Sequence, residues 1–237
     1  MQNLIICIVA SIFFGSLISI FLKLAYKKNG QDFNFKDFKD NLKLKNIDLK
    51  YILIYFITLY CLTINLGLKD TIIIAPFCFA MILAFILDAV FMIIPDTSSY
   101  VLLACGLARI ILDFNVQTII SAVLGLIVGG LVFWIINYLC EKITDKSGFG
   151  MGDIKLLASL GFFFGVRGIL VTMLLSVCIS AAFSIFFLVY KSLKKKEEEY
   201  IPFGPFIVIS SFIVYILSSE KIIQLYYNVV DKILTKI

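Results

Sequence analysis

The sequence predicts an all-α protein: a polytopic transmembrane helical bundle of about eight membrane helices, followed by a C-terminal amphipathic helix. The 237 residues are 61% hydrophobic and only 16% charged, whereas a soluble domain is about half apolar and about a quarter charged. Apolar stretches of spanning length recur along most of the chain. None of them alternates with the period of two that a transmembrane barrel requires, so helices are the spanning structure that remains.

Eight apolar stretches are candidate membrane helices. A crossing needs about 20 mostly apolar residues, and somewhat fewer suffice where protein neighbours shield the helix. The fourth and sixth stretches are short, so the number of crossings is seven or eight. In chain order the stretches occupy residues 3–24, 51–68, 71–94, 99–113, 117–140, 153–166, 168–190 and 203–218.

The chain divides by composition into three parts. Residues 1–50 hold the first membrane helix and a short polar connector, and residues 51–218 form the transmembrane core. In the tail, 219–237, apolar residues recur at spacings of three and four, which predicts an amphipathic helix lying in the membrane interface. The first helix has no basic region before it, so it is expected to be retained rather than cleaved as a signal.

The distribution of lysines predicts the orientation of the bundle. Eight Lys lie in residues 23–50, two in 141–152 and four in 191–196. With eight helices these segments share one side with the short loop 95–98. Loops rich in Lys and Arg stay in the cytoplasm, so this side is expected to be cytoplasmic.

Cysteine and histidine usage excludes several kinds of chemistry. The six Cys are far apart and no CxxC pair occurs, so a zinc ribbon or a disulfide framework is disfavoured. The thiols are interpreted as small packing residues. His is absent, which removes a Ser-His-Asp triad and the commonest zinc ligand. We therefore expect no metal and no cofactor.

Asp88 is a candidate functional residue because it interrupts a long apolar run, AMILAFILDAVFMII. A carboxylate inside a span costs at least a few kcal/mol by insertion scales, so it must face a polar cavity, find a partner or stay protonated. Such a group is a functional candidate by default. The alternative is a structural hydrogen bond between helices.

Asp153 follows a glycine-rich segment in SGFGMGDIKLLASL. Gly148, Gly150 and Gly152 allow the backbone to turn tightly. The apolar run that follows makes Asp153 a first-turn residue of a helix, where the helix dipole favours a carboxylate. Taken alone, Asp153 is equally well explained as a helix cap.

Two carboxylates brought together in a partly desolvated place cannot both ionise easily, so they share one proton. The ionised member then takes a proton from water as the water attacks a carbonyl. The protonated member polarises the carbonyl oxygen and helps the amine to leave. A pair formed by Asp88 and Asp153 would therefore suit peptide hydrolysis.

Four segments resemble one family. FGMGDIKLL resembles the GxGD motif of type IV prepilin peptidases, and LDAVFMIIPDTSS is similar to their first catalytic segment, in which an Asp precedes a PD pair by eight residues. IPFGPFIVIS at 201–210 and FGSLISIF at 14–21 resemble two further segments of the family. GxGD alone is a weak signal, but the four segments follow the order of the family.

The resemblance implies a membrane aspartyl endopeptidase. Such an enzyme cleaves the short basic leader from type IV prepilins or pseudopilins at the cytoplasmic face of the cell membrane. Matched to the motifs, Asp88 and Asp153 would be catalytic, with Gly150 and Gly152 supporting the turn. The expected partners are the prepilin or pseudopilin substrate and membrane lipid, and nucleic acid is not expected.

Asp96 and Lys155 belong to the same motifs. Pro95 is expected to end the helix that carries Asp88, so Asp96 receives a supporting or capping role. Its alternative role is as the catalytic member in place of Asp88. Lys155 either tunes the carboxylate pair or extends its amine to the membrane surface.

The chain departs from the longer bacterial members in its connector. Those members carry a cytoplasmic insert with two CxxC pairs that bind zinc, and they methylate the new N-terminus with S-adenosylmethionine. Residues 29–50 contain no Cys. The resemblance is therefore to a short form, and no, or much reduced, N-methyltransferase activity is predicted.

Two other functions remain open. In the first, the chain is a transporter or channel in which Asp88 and Asp153 relay protons or cations. In the second, it is a catalytically silent assembly factor that tolerates loss of either Asp.

Overall fold

The computed structural model describes residues 2–28, 48–63, 68–144, 148–194 and 201–217. These residues form seven helices and contain no strand, which confirms the prediction of an all-α fold. The helices are α1 Gln2–Lys28, α2 Leu49–Thr63, α3 Leu68–Phe91, α4 Asp96–Asp113, α5 Val116–Thr144, α6 Met151–Lys194 and α7 Gly204–Leu217.

Four of these helices, α1, α3, α5 and α6, are long and apolar enough to cross a membrane, and α2 and α7 are shorter apolar helices. The prediction of several apolar membrane helices is therefore confirmed, whereas the predicted number of seven or eight crossings remains a prediction. The segments predicted at 153–166 and 168–190 both fall within α6. The amphipathic helix predicted at 219–237 lies outside the described residues.

The chain divides into two compact units, Met1–Asp113 and Phe114–Ile237. The boundary falls inside the predicted core 51–218, a division that composition alone did not indicate. The first unit contains α1 to α4, and the second contains α5 to α7.

In the first unit, α1 and α2 approach each other closely at a glycine. A Cβ atom on Gly15 would lie 2.6 Å from the Cα atom of Ile52, so only glycine fits there. Asp48 precedes α2, and its backbone N–H donates to the Ser19 hydroxyl of α1 at 2.8 Å. The Lys23 amine lies 3.3 Å from the Asp48 carboxylate. These contacts fix the entry to α2 against the second half of α1.

Aromatic rings fill the core of the first unit. The Phe14 ring of α1 lies 5.8 Å from that of Tyr55 and 5.3 Å from that of Phe79. The Tyr55 hydroxyl donates to the carbonyl of Ala75, next to Pro76 within α3. A proline inside a helix removes one backbone donor and disturbs the preceding turn. The carbonyl that loses its helical donor is that of Ile72, four residues before Pro76, so the Tyr55 hydroxyl adds a hydrogen bond beside the proline rather than replacing the missing one.

In the second unit, α5 and α6 pack through glycines. A Cβ atom on Gly161 would overlap the carbonyl oxygen of Gly125, and one on Gly129 would overlap that of Leu157. Small residues spaced by four let two helix backbones approach, which is a common packing mode in membranes. The first part of α6 is therefore held against α5 by backbone contact.

Gly165 interrupts α6 with φ 74° and ψ 179°. The side chain of Ser121 on α5 occupies the space beside it, since a Cβ atom on Gly165 would lie 2.5 Å from the Ser121 hydroxyl oxygen. The Val166 N–H donates to that oxygen at 3.3 Å. The break between the two predicted segments is therefore present, at Gly165 rather than at Arg167.

Ring contacts show that α6 folds back after this break. The Phe183 ring lies 5.4 Å from that of Phe206, and the Phe149 ring lies 5.1 Å from that of Phe203. Phe203 and Phe206 are within one turn of each other. A straight α6 would put Phe183 about 48 Å along the axis from Met151, which these contacts forbid. The helix is therefore a pair of segments that turn back on each other.

The glycine contact between α5 and α6 predicts a stability effect. Gly161→Ala should lower thermal stability by about 1–3 kcal/mol, because the added methyl group forces two backbones apart. The protein is heated in detergent, and the fraction that stays folded is measured by size-exclusion chromatography. Gly130→Ala is the matched control, because its Cβ atom would meet only the Ala158 methyl group, at 3.3 Å. Equal stability of the two variants would contradict the proposed backbone contact.

Candidate active site

Asp88 lies in the last turn of α3 and is only 5% exposed. Its backbone carbonyl accepts a hydrogen bond from the Met92 N–H at 2.9 Å. The candidate span in this region is Asp70–Phe91, so the carboxylate is within one turn of the end of the span. The prediction that Asp88 is buried in an apolar helix agrees with this position.

Met92 ends α3 in a left-handed backbone conformation, with φ 56°. A left-handed residue just after a helix is a common stop signal, usually supplied by glycine. In a residue with a side chain this conformation costs about 1–2 kcal/mol. Met92 therefore stores backbone strain one turn after Asp88. The helix ends here rather than at Pro95, so the predicted cause of the break was wrong.

Asp96 is the first residue of α4 and is exposed. A carboxylate in the first turn of a helix is stabilised by the helix dipole, in agreement with the predicted capping role. The Ser98 N–H donates to the Pro95 carbonyl at 3.0 Å and closes this turn. A catalytic role for Asp96 remains an untested alternative.

The end of α1 and the end of α3 that carries Asp88 lie close together in the first unit. The Tyr26 ring near the end of α1 lies 5.1 Å from the Phe91 ring at the end of α3. The same part of α1 holds Lys23, which pairs with Asp48 at the start of α2. Asp88 is therefore near the end of α1 that carries Lys23, whereas the predicted cytoplasmic orientation remains a prediction.

Asp153 occupies the first turn of α6 and is 9% exposed. Its Oδ2 atom accepts from the Gly150 N–H at 3.3 Å, and its own N–H donates to the Gly150 carbonyl at 3.1 Å. The bond from the third residue of the helix back to the cap N–H is one half of a capping box, and a backbone bond to the Gly150 carbonyl takes the place of the other half, because glycine has no capping side chain. The first-turn position predicted for Asp153 is confirmed.

Gly150 is the cap residue of this arrangement. A Cβ atom on Gly150 would lie 3.2 Å from the Asp153 Oδ2 atom, so a larger residue would press on the carboxylate. Gly152 is half-buried and precedes Asp153 in the first turn. The structure thus gives Gly150 a steric reason to be glycine, whereas the supporting role of Gly152 remains a prediction.

Asn137 on α5 anchors the glycine-rich turn, and sequence reasoning missed it. Its Oδ1 atom accepts two backbone hydrogen bonds, from the Gly148 N–H at 2.9 Å and from the Phe149 N–H at 3.0 Å. The available signal was an amide side chain within the apolar run FWIINYLC. A polar residue there needs a partner, and the turn supplies it.

Three phenylalanine rings join the glycine turn to the IPFGP segment. The Phe149 ring lies 4.7 Å from that of Phe133 on α5 and 5.1 Å from that of Phe203. The rings of Phe133 and Phe203 are 5.8 Å apart. Phe203 precedes α7, and its carbonyl accepts from the Phe206 N–H at 3.0 Å. Two motifs far apart in sequence therefore meet at the start of α6.

Lys155 is exposed on α6, two residues after Asp153. On the same end of the second unit, the exposed rings of Trp134 and Tyr138 stack at 5.9 Å on α5, followed by Lys142 in its last turn. Aromatic and basic side chains of this kind collect at the membrane surface. The position of Lys155 agrees with an amine that extends to the interface.

The two predicted catalytic residues belong to different units, Asp88 to the first and Asp153 to the second. Each is buried at the end of a candidate span, but their pairing remains a prediction. Across the described parts of the chain, no group of three His, Cys, Asp or Glu residues is arranged to hold a metal ion. The expected absence of a metal and a cofactor also remains a prediction.

Fold and site together define an apolar, all-helical membrane protein with one buried carboxylate near a span end in each unit. Residues 75–185, which contain both carboxylates, match the type IV leader peptidase family. The match covers 111 residues, a little under half of the chain. No solved structure matches it with significance.

Similar proteins include several prepilin leader peptidase/N-methyltransferases. The one from Xanthomonas campestris pv. campestris is 35% identical over 101 residues, which are 43% of this chain and 34% of that protein. The one from Aeromonas salmonicida is 32% identical over 139 residues, which are 59% of this chain and 46% of that protein. The matched region thus spans less than half the length of these relatives.

The strained end of α3 predicts a stabilising substitution. Met92→Gly should raise thermal stability by about 0.5 kcal/mol, because glycine adopts the left-handed conformation without a steric penalty. The Met92 side chain is 55% exposed, so little packing is lost.

The measurement is the unfolding temperature in detergent. Ile93→Gly is the matched control, since Ile93 is 39% exposed and has no left-handed backbone. That variant should be less stable than the parent protein. If Met92→Gly lowers the unfolding temperature as much as Ile93→Gly does, the assignment of backbone strain to Met92 is wrong.

Proposed function

We propose that this chain is a membrane aspartyl endopeptidase that cleaves the leader peptide from type IV prepilins or pseudopilins. The observation that carries the proposal is the burial of Asp88 and Asp153 within the single segment that matches the type IV leader peptidase family. The names of the related prepilin leader peptidases support the substrate class. The catalytic pair is Asp88 and Asp153.

The reaction uses the two carboxylates as a general acid and a general base. Close carboxylates share one proton, since two negative charges in a desolvated place repel each other. The ionised member removes a proton from water as the oxygen attacks the scissile carbonyl. The protonated member donates to the carbonyl oxygen and then to the leaving amine. The products are the leader peptide and a pilin with a free N-terminus.

The proposed site needs the glycine-rich turn to orient the Asp153 carboxylate. The Gly150 N–H bonds to the Asp153 carboxylate at 3.3 Å and so limits its rotation. Catalytic groups must be held close to a productive geometry, because a misplacement of about 1 Å can cost on the order of 100-fold in rate. The bond between Gly150 and Asp153 thus serves both the start of α6 and the orientation of Asp153.

The protein crosses the cytoplasmic membrane eight times, with the catalytic residues at the cytoplasmic surface. Counting α6 as two segments on either side of Gly165 gives eight helical segments in chain order. The lysine-rich parts of the sequence support the orientation through the preference of basic loops for the cytoplasm. The exposed Lys155 and Lys142 near the start of α6 fit the same surface.

A proton or cation transporter is the second candidate, favoured by the interruption of α6. Transporters build ion sites from paired broken helices near the middle of the bilayer. Gly165 is the only residue inside the described helices with non-helical dihedral angles. It is separated from Asp153 by 12 residues, about 18 Å along a helix. The break and the carboxylate are therefore separate features, and the peptidase is the better supported function.

The proposal predicts which carboxylates are essential. Co-expressed with a candidate prepilin, Asp88→Asn and Asp153→Asn should each slow leader removal by at least about 100-fold, because each loses an acid or base function. The measurement is the size of the pilin over time, by gel electrophoresis. Asp113→Asn, at the exposed end of α4, is the matched control and should process normally.

Asp96→Asn separates the alternatives in the same assay. Cleavage at a normal rate agrees with the capping role of Asp96. Loss of cleavage in Asp96→Asn with a normal rate in Asp88→Asn would move the catalytic role to Asp96. Normal processing by both Asp88→Asn and Asp153→Asn would refute the peptidase mechanism and leave the transporter or the silent assembly factor.

The short connector predicts the outcome of a methylation assay. Residues 29–50 hold no cysteine, so the zinc-bound insert of the longer family members is missing. Cleaved pilin incubated with the enzyme and labelled S-adenosylmethionine should gain little or no N-methyl group, as measured by mass spectrometry of its N-terminal peptide. Robust methylation would contradict this interpretation of the connector.

A further inference from the structure

The glycine-rich turn before Asp153 is fixed by a single side chain of the neighbouring helix. The Asn137 Oδ1 atom accepts from two successive backbone N–H groups, those of Gly148 and Phe149, at 2.9 and 3.0 Å. Glycine-rich backbone has many accessible conformations and loses more entropy than other residues on ordering. Two hydrogen bonds to one half-buried amide oxygen select one of those conformations.

The surrounding side chains make α5 a template for this turn. Phe133, Asn137 and Cys140 follow at spacings of four and three, so they share one face of α5. The Phe133 ring packs on Phe149 at 4.7 Å. A Cβ atom on Gly148 would lie 3.2 Å from the Cys140 sulfur. The turn therefore rests on α5 over about two helical turns, with Asn137 at its centre.

The glycine-rich turn also sets the position of the Asp153 carboxylate. Gly150 follows Phe149 directly, and its N–H donates to the Asp153 Oδ2 atom at 3.3 Å. The Asp153 N–H bonds back to the Gly150 carbonyl at 3.1 Å. A shift of residues 148–150 would therefore carry the carboxylate with it. The connection runs from Asn137 through the turn to Asp153 without a gap.

We propose that Asn137 is a positioning residue of the active site, which holds the Asp153 carboxylate in its reactive orientation through the glycine turn. This inference rests on the proposed peptidase function. Asn137 itself touches neither the scissile bond nor the water in this scheme. Its loss should therefore lower the rate of the chemical step rather than the affinity for the prepilin.

Asn115 provides a matched control as the residue that caps the N-terminus of α5. Its Oδ1 atom accepts from the Gln117 N–H at 3.0 Å, at the opposite end of α5 from the glycine turn. Asn115→Ala therefore removes an amide acceptor at α5, as Asn137→Ala does, without touching the turn. Both variants should lose thermal stability, so a purely structural role would affect the two in the same way.

The kinetic test uses the full-length protein in detergent with a purified prepilin. Asn137→Ala should reduce kcat on the order of 100-fold, as expected for a misplaced catalytic group, while KM stays close to that of the parent. Asn137→Asp keeps an acceptor oxygen and should retain most of the parental kcat. Asn115→Ala should leave both constants unchanged. Equal kcat values for Asn137→Ala and Asn115→Ala would overturn the proposal.

A second measurement does not depend on activity. Cys140 lies against the turn, and Cys61 and Cys178 are the exposed cysteines in the described residues, so replacing both leaves Cys140 as the reporting thiol. In a Cys61→Ser, Cys178→Ser background, a maleimide should label Cys140 faster after Asn137→Ala than after Asn115→Ala. Equal labelling rates would show that Asn137 does not hold the turn.

The two measurements also separate this inference from the proposed function. Normal cleavage by Asp153→Asn would refute the peptidase mechanism and, with it, the catalytic effect of Asn137. The labelling rates would still decide whether Asn137 anchors the turn. Loss of cleavage in Asp153→Asn together with parental kcat in Asn137→Ala would refute only the positioning role.

Discussion

A backbone polar group left unpaired at a helix irregularity has to find a partner inside the protein, because hydrocarbon supplies none. Two irregular stretches of the second unit have a side chain of α5 beside them. The Ser121 hydroxyl accepts from the Val166 N–H directly after Gly165. Asn137 accepts from two N–H groups of the glycine turn that starts α6. The irregular backbone of α6 is therefore tolerated because the neighbouring helix supplies hydrogen-bond acceptors for it.

The second unit depends on one such arrangement more than on any other. The glycines of α5 and α6 bring the two backbones into contact, which leaves no freedom for α6 to slide without a clash. This contact places the start of α6 beside the face of α5 that carries Asn137 and Phe133. Phe203, at the start of α7, packs on the same cluster. Close backbone packing, the anchored turn and the capped carboxylate thus form one continuous structure.

The sequence predicted the helical class and the first-turn position of Asp153, because hydropathy and glycine patterns act locally. It also predicted a break near residue 167, which the structure has at Gly165. It did not predict that α3 ends at Met92, since a left-handed methionine has no local signature. Nor did it identify Asn137, because the partner of that amide is a turn eleven and twelve residues away that only packing brings near. Contacts of this kind are set by tertiary structure rather than by local pattern.

The positions of the two carboxylates along their helices support the proposed peptidase over a relay. A candidate span ends at Phe91, three residues after Asp88, and another begins at Met151, two residues before Asp153. Each carboxylate is therefore about 5 Å or less along the helix axis from a span end, whereas the midplane of the hydrocarbon lies about 15 Å from its surface. Ion sites of transporters lie near that midplane. A hydrolase needs water at both carboxylates, and positions near the ends of the apolar helices would let water reach them while the side chains stay buried. These positions therefore support the proposed hydrolysis at the membrane surface over conduction across it.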